Sequence, residues 1–367
     1  MQPHKKVLVS GASFAGLTTA YWMNKMGYEV TVVEISPYLK MGGTPVDIKD
    51  STVDIVKRMG LYEVIKSNRV GPNKWEFKNA DDVTEHCVLL ERSPDNEFEI
   101  ERDFLLNLLY DLVKNEVRFI FSNSITAIQE KAHALEISFK NGTQENFDLL
   151  FGCDGVHSAV RKMWFGAETA YVHFLGQYFS IAIANKLLVE EGAYQLYAEP
   201  DKGVALYAYN NKTDIIFTFR PGKEIAYDFR NQEQQKNIIA AQFEGMGWRT
   251  AELQQELLRS GSFYFDKFCQ VKMPSWTKGR VALVGDAGYC ASPAAGMGGS
   301  LAIIGATALA DAFEKHHGNT TLAFEAYNNN LRPFIEEVQA AAVLTLDKLL
   351  PHTKEEIEWR NKHGFEF

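Results

Sequence analysis

Between an apolar run at Lys6–Ser10 and a second at Val30–Glu34 the chain places Gly11-Ala-Ser-Phe-Ala-Gly16. This glycine turn constrains the fold more than any other feature, because it must pass the chain from a buried strand into a helix within a few residues. The spacing predicts a strand, the turn, a helix to about Lys25, and a second strand, with Gly27 closing the helix as a C-cap glycine does. The first glycine permits the tight turn, and the last lets helix and strand backbones approach. The dinucleotide fingerprint carries a further glycine between them. Here Ser13 stands in its place, small enough to keep most of the approach of backbone to a pyrophosphate. Glu34 ends the second strand, 18 residues after Gly16, where a carboxylate accepts hydrogen bonds from an adenosine ribose. Strand, loop, helix, strand and terminal acid together predict a nucleotide site. A glycine-tightened turn with a surface Glu34 is the plain alternative.

Two further glycine motifs follow buried-strand runs. Gly152-Cys-Asp-Gly-Val-His-Ser-Ala-Val-Arg161 comes after Phe147–Phe151. Asp154–Gly155 reads as a turn, and Ser158 and Arg161, three apart, share a face of the helix beyond it. Alone, this is no more than a β-turn into a helix. The third motif is Gly285-Asp286-Ala287 after Val281–Val284, then Pro293-Ala-Ala-Gly296-Met-Gly298-Gly299 opening a helix. Asp286 is placed to accept hydrogen bonds from the hydroxyls of a ribityl chain. The glycines leave backbone N–H groups at a helix N-terminus, which favours negative charge such as the N1–C2=O edge of a reduced flavin. A glycine-softened helix entry is the alternative.

A different pattern fills the middle of the chain. Gly192–Glu199, Val204–Asn210 and Ile215–Arg220 are short, aromatic-rich and roughly alternating, separated by turn-forming residues at Pro200–Gly203 and Asn211–Asp214. They predict an antiparallel meander with one face towards something apolar. Ser51-Thr-Val-Asp54 has capping-box character and opens a helix towards Met59; Ser300–Phe313 and Thr321–Leu349 read as helices. A length of 367 residues with 46% hydrophobic and 23% charged composition suits one large or two interleaved domains. The net charge of −9 argues against nucleic acid as a partner, which would need a basic patch. Val7–Val9 is too short for a signal segment, and Leu301–Ala310 is about half the length of a membrane helix. The four cysteines (Cys87, Cys153, Cys269 and Cys290) form no CxxC pair. Buried reduced thiols in a cytoplasmic protein are expected, with no metal site.

Gly11–Gly16 with Glu34, then Asp154–Gly155, then Gly285–Asp286 with Pro293-x-x-Gly296-x-Gly298 occur in the order seen in class A flavoprotein monooxygenases. The chain resembles that para-hydroxybenzoate hydroxylase-like family over about Lys6 to Ala340. Gly42-Gly43-Thr44 with Val46-Asp47, and the run from Trp276 to Cys290, are similar to the tetracycline-inactivating branch. Two departures are Ser13 in the fingerprint and Gly288 where many members have His. There is one dinucleotide fingerprint and no redox Cys pair, unlike the glutathione-reductase-like enzymes, and the W-x-W-x-I-P motif of flavin halogenases has no counterpart.

The resemblance implies an α/β fold: a Rossmann-like (glutathione-reductase-type) FAD-binding domain, an interleaved antiparallel substrate sheet, and C-terminal helices. The expected division is 1–70, 98–170 and 270–320 for FAD, 71–97 and 171–269 for substrate, and 321–367 for the C-terminal helices. It implies non-covalent FAD held by Gly11, Ser13, Gly16, Glu34, Asp154, Gly155, Asp286, Gly296 and Gly298. Arg102 is expected to reach the FAD phosphates; without the match it reads as a solvated helix-start charge. Pro293 is expected beside the flavin ring, and Asp154–Gly155 to serve NAD(P)H as well as FAD. In the cycle so implied, NAD(P)H reduces FAD, O2 adds at C4a, and the hydroperoxide oxygenates an aromatic or polycyclic substrate, tetracyclines among the candidates. Phe217, Phe219 and Arg220, with Tyr194, Tyr207 and Tyr209, are expected to line the substrate pocket; core packing for the aromatics and solvent or a surface carboxylate for Arg220 are the alternatives. A cytoplasmic monomer is expected. A flavoprotein dehydrogenase or reductase on this fold, and a non-catalytic ligand-sequestering flavoprotein, remain the rival readings.

Overall fold

Six strands form the sheet that carries the first glycine turn, in the order Thr277–Lys278, Val281–Leu283, Leu149–Gly152, Lys6–Ser10, Glu29–Val33, Arg118–Ile120. All neighbours are parallel except the first pair. Parallel strands covered on both faces need apolar residues at successive positions, and Val7, Leu8, Val9, Leu150 and Phe151 are each fully buried. One cover is made by helices Phe14–Lys25 and Gly298–Lys315, which pack on each other and share the core with the sheet. The computed structural model describes residues 5–91 and 96–364. The outermost ends of the expected first and last segments, and part of the 71–97 segment, therefore lie outside the described residues.

The second large sheet has seven strands: Phe263–Val271, Val172–Ala184, Lys212–Phe219, Lys202–Tyr209, Ala193–Glu199, Lys74–Lys78 and Thr84–Leu89. The meander expected from the alternating pattern forms its centre. A small sheet of Val46–Lys49, Glu97–Ile100 and Arg69–Val70 lies between the two. Helices Thr320–Leu349 and Lys354–His363 end the described chain. The helix after Asp50 forms as expected over Ser51–Arg58, but its start carries no side-chain cap hydrogen bond, so the capping box does not close.

Register decides which side chains of the seven-stranded sheet face the first sheet. Tyr178 pairs with Phe219 and Ser180 with Phe217, whereas Phe179 pairs with Thr218 and Ile181 with Ile216. Paired residues share a face. Phe217 and Phe219 are fully buried with Ile239, Leu253 and Leu257 of helices Gln232–Gln242 and Thr250–Arg259, and with Phe243 just beyond the first of them. The ring of Phe217 meets Phe243 edge-on at 4.8 Å. These two phenylalanines are thus core of the outer, helix-covered face, which corrects the expectation that they line a substrate pocket. The opposite face carries Phe179, which clusters with Phe268, Ala294 and Leu346 beside the Pro293 loop.

Arg220 is corrected too. The strand stops at Phe219, and the guanidinium leaves the sheet for the turn after Leu349. It pairs with Asp201, contacts His352 Nδ1 at 2.8 Å and donates to the carbonyl of Leu350 at 3.3 Å. Both terminal nitrogens of its fork are thereby committed to protein groups at the sheet's end, away from a substrate clamp.

A histidine joins the two large sheets. His157, on the loop after Gly152, contacts Asp266 Oδ2 at 3.1 Å through Nε2 and Glu168 Oε1 at 3.2 Å through Nδ1. Its ring stacks on Phe229 at 4.5 Å. Asp266 lies on the edge strand of the seven-stranded sheet and also accepts from Tyr227 at 2.6 Å and Tyr264 at 2.8 Å. Burial pulls the imidazole pKa down, but the hydrogen bonds to Asp266 and Glu168 outweigh it and push the pKa up to about 9.

These contacts set two expectations for stability. Arg220→Ala should lower the unfolding free energy by roughly 1–3 kcal/mol, the scale of lost charged hydrogen bonds, with FAD content and substrate KM unchanged; a raised KM would restore the clamp. Because the folded pKa of His157 exceeds its unfolded value, its contribution is fully present below pH 6.5 and fades as pH rises through about 9. Its size is at most about 3 kcal/mol for a shift of that order. His157→Gln should therefore remove stability at pH 6 and almost none at pH 10, read as the difference in Tm between the two proteins.

Candidate active site

The first turn is closed by atoms that leave no room for a side chain. A Cβ on Gly16 would lie 1.9 Å from the carbonyl oxygen of Gly11, and a Cβ on Gly11 would lie 2.5 Å from the carbonyl oxygen of Cys153. Gly11 also has φ +102°, which other residues rarely adopt. Helix Phe14–Lys25 starts after Ser13 with no side-chain cap, so its first N–H groups face the loop. Glu34 is held there by two amides: Ala12 N–H donates to Oε2 at 2.8 Å and Ser36 N–H to Oε1 at 2.9 Å. Each oxygen keeps a lone pair for a ribose hydroxyl. Arg102 opens a helix on the far side of the loop. It donates to the carbonyls of Lys40 at 3.0 Å and Gly42 at 2.8 Å, and lies 3.5 Å from Ser13 Oγ. A side chain at Gly43 would meet its Cδ at 2.8 Å, so Gly43 makes the space in which Arg102 reaches the loop.

The second motif abuts the first. Asp154 accepts from Ser158 Oγ at 2.5 Å and from Val160 N–H at 3.0 Å, so its carboxylate is spent on shaping the turn. A Cβ on Gly155 would have nothing within 4 Å, so the backbone there is open at the sheet edge. Arg161, fully buried, donates to Val156 O at 2.5 Å and to Ala287 O at 2.9 Å. It ties the second motif to the third, a role the shared helical face with Ser158 only hinted at.

Asp286 begins a short helix directly after Val281–Leu283. Burial pushes its carboxyl up to about 6, with Cys290 as its hydrogen-bond donor. A buried carboxyl without a cation is poorly solvated until donors reach it, and ribityl hydroxyls are such donors. The loop Pro293–Ala295 and left-handed Gly296 then deliver the chain to helix Gly298–Lys315, again without a side-chain cap. At Gly299 a Cβ would collide with Val46 Cγ1 at 2.3 Å, while Gly298 opens on free space. The two uncapped helix ends, the poised Glu34, Arg102 at the loop and the undersolvated Asp286 together fit FAD.

Facing the Pro293–Gly298 loop is the inner face of the seven-stranded sheet, where Tyr194 pairs with Tyr207, and Tyr207 with Asp214. Tyr209 donates to both oxygens of Asp214 at 3.1 and 3.2 Å. From the small sheet, Asp47 and Glu99 pair across strands and share a face; Asp47 Oδ2 would lie 3.4 Å from a Cβ on Gly296. Burial raises Glu99 to about 7, helped by the charge of Asp47, and burial raises Asp214 to about 7. The three tyrosines were expected here. Glu99 and Asp214 were not: Glu97-Phe-Glu-Ile100 reads as a strand with a solvated acidic face, and nothing local shows that another sheet covers it.

Comparison with known proteins agrees with this geometry. A Legionella longbeachae protein described as a flavin-dependent monooxygenase is 33% identical over 357 residues, 95% of this chain and 91% of its own length. The crystal structure of tetracycline destructase Tet(51) superposes with a TM-score of 0.89 at 33% identity, covering 98% of this chain and 95% of that one. Klebsiella pneumoniae HpxO, crystallised with FAD and uric acid, shares the fold at a TM-score of 0.76 and 18% identity over 99% of this chain and 93% of its own. From residue 4 to residue 342 the sequence matches the model of the FAD binding domain family, and the chain belongs to that family.

Proposed function

We propose that the chain is an FAD-dependent monooxygenase that takes electrons from NAD(P)H and one oxygen atom from O2 to hydroxylate an aromatic or polycyclic small molecule. The observation that carries this reading is the inner face of the seven-stranded sheet, which bears Tyr194 and Tyr207 and, through Phe179 and Phe268, packs on Ala294 of the Pro293 loop. The full-length likeness to named flavin-dependent monooxygenases supports it. Tetracycline-type ring systems are the first substrates to test, because Tet(51) is a tetracycline destructase.

FAD, when bound, supplies the redox chemistry that activates O2. The chain supplies the rest. Gly11, Ser13 and Gly16 seat the pyrophosphate at a helix N-terminus, Arg102 neutralises it, Glu34 takes the ribose, and Asp286 takes ribityl. Gly296 and Gly298 bring N–H groups to the pyrimidine edge, beside Pro293, and Asp154 shapes the turn whose open Gly155 backbone meets the nicotinamide donor. The apolar closure excludes water, which would otherwise divert the activated oxygen. Sheet membership supports an FAD-binding unit from 1–70, 98–170 and 270–320, and a substrate unit from 71–97 and 171–269. Among the described residues no helix is long and apolar enough to cross a membrane. The buried Cys153, Cys269 and Cys290, free of disulfides, suit a reducing compartment, so we read the protein as cytoplasmic, and we retain a monomer as the expected state.

The FAD-loaded protein should oxidise NAD(P)H faster when a true substrate is present, and that substrate should gain one oxygen by mass spectrometry. A panel of phenols and polycyclics, tetracyclines included, tests this. Accelerated NAD(P)H oxidation that passes electrons to the substrate with no oxygen gained would mark a dehydrogenase or reductase, and binding without turnover a sequestering protein. Asp286→Ala should weaken FAD binding about ten- to a hundredfold, since charged hydrogen bonds contribute roughly 1.5–3 kcal/mol. An unchanged FAD dissociation constant in a folded variant would remove the ribityl assignment.

A further inference from the structure

Arg102 is flanked in the sequence by two acids, Glu101 and Asp103. An arginine that serves a diphosphate must not be neutralised by its own neighbours, since a carboxylate binds a guanidinium as readily as a phosphate does. Each acid is turned elsewhere. Asp103 Oδ1 accepts from the N–H of Gly42 at 2.8 Å and stays 3.8 Å from Arg102 Nη1. Glu101 points to the substrate sheet, where Lys212 Nζ donates to its Oε1 and Asn210 Nδ2 to its Oε2 at 2.8 Å. Arg102 Nη1 is held by the carbonyls of Lys40 and Gly42, while Nη2 lies 3.5 Å from Ser13 Oγ at the glycine turn.

Both donors to Glu101 come from one turn. Asn210 and Asn211, with φ of +46° and +60°, join strands Lys202–Tyr209 and Lys212–Phe219 as a two-residue hairpin in which Tyr209 pairs with Lys212. Two left-handed residues in succession fix such a turn, so the hairpin itself delivers Asn210 and Lys212 to Glu101. Glu101 follows strand Glu97–Ile100 and precedes the helix that Arg102 opens, yet its side chain does not cap that helix. It is only 16% exposed, and a carboxylate so placed needs a cation or donors. Once Lys212 is lost, Arg102, the next residue, carries a cation on a side chain long enough to meet it.

Resting on the placement of the FAD phosphates at Arg102, we propose that the Asn210–Lys212 hairpin keeps Glu101 off Arg102 and so reserves the guanidinium for the cofactor. Glu101 and Lys212 are positioning residues, which act on FAD through Arg102. The docking of the substrate sheet thereby sets the affinity for FAD, and by linkage FAD strengthens that docking.

The test reads FAD dissociation constants from flavin fluorescence on reconstituted protein, with Tm as the check on folding. Arg102→Ala sets the scale, about tenfold weaker or more, the size of one charged hydrogen bond. Lys212→Met, which frees Glu101, should weaken FAD by a similar factor. Adding Glu101→Gln to Lys212→Met should restore binding close to the wild-type value, and Glu101→Gln alone should change little. A mere tether between the two sheets would behave otherwise: Glu101→Gln would weaken FAD as much as Lys212→Met, and the double variant would not recover. That pattern, or wild-type affinity in Lys212→Met, overturns the proposal. Where Lys212→Met fails to fold, amide hydrogen exchange decides. FAD should slow exchange in the hairpin of the wild type and not in Arg102→Ala, and equal slowing in both overturns the proposal. An unchanged constant in Arg102→Ala would remove the phosphate assignment and this inference with it. Loss of affinity there, with none in Lys212→Met, would remove this inference alone.

Discussion

A methyl group on Gly16 would sit 1.9 Å from the carbonyl oxygen of Gly11, and one on Gly11 would sit 2.5 Å from the carbonyl oxygen of Cys153. Those two near-contacts lock three backbones together: the end of the first strand, the start of the first helix, and the loop after Leu149–Gly152. Because the strands are parallel and adjacent, their C-terminal ends open on the same edge. Glu34, Asp154 and Asp286 each follow a strand of this sheet at that edge. Arg161 then fixes the second loop to the third through the carbonyl of Ala287. The cofactor site is thus a consequence of backbone packing, and its polar side chains are placed by strands that could not be elsewhere.

The substrate side is held differently. It depends on a separate sheet being docked over the first through mixed contacts: His157 meets Asp266 and Glu168, Val271 enters the core of the first sheet, and Phe179 and Phe268 pack with Ala294. The larger apolar cluster of the second sheet is directed outwards, into the helices that cover Phe217 and Phe219. That leaves its inner face free to be lined by tyrosines and acids.

Most of the cofactor half was legible in the sequence because its signals are local. Buried parallel strands read as apolar runs, and the glycines fall at fixed offsets from them. Gly27, Glu34, Asp286 and the Pro293–Gly298 stretch fall at the strand and helix ends that their neighbours predict. The substrate half was legible as strands but not as faces. Alternation separates Ile216 and Thr218 from Phe217 and Phe219, yet period two is silent on which face meets helices and which meets the cofactor. The helix that decides it, Gln232–Gln242, is rich in glutamine and shows little apolar stripe. Arg220 misled for a related reason: its partners Asp201, Leu350 and His352 come from a hairpin turn and from a turn 130 residues further on.

The same non-locality brings acidic residues to the Gly296 loop. On the proposed placement, a reduced flavin would carry negative charge at its pyrimidine edge, and the uncapped start of helix Gly298–Lys315 would offer that charge backbone N–H groups. Ionised carboxyls at Asp47 and Glu99 would oppose it across the Gly296 loop. Burial eases the conflict by raising both, Glu99 to about 7, since it disfavours the charged form of each.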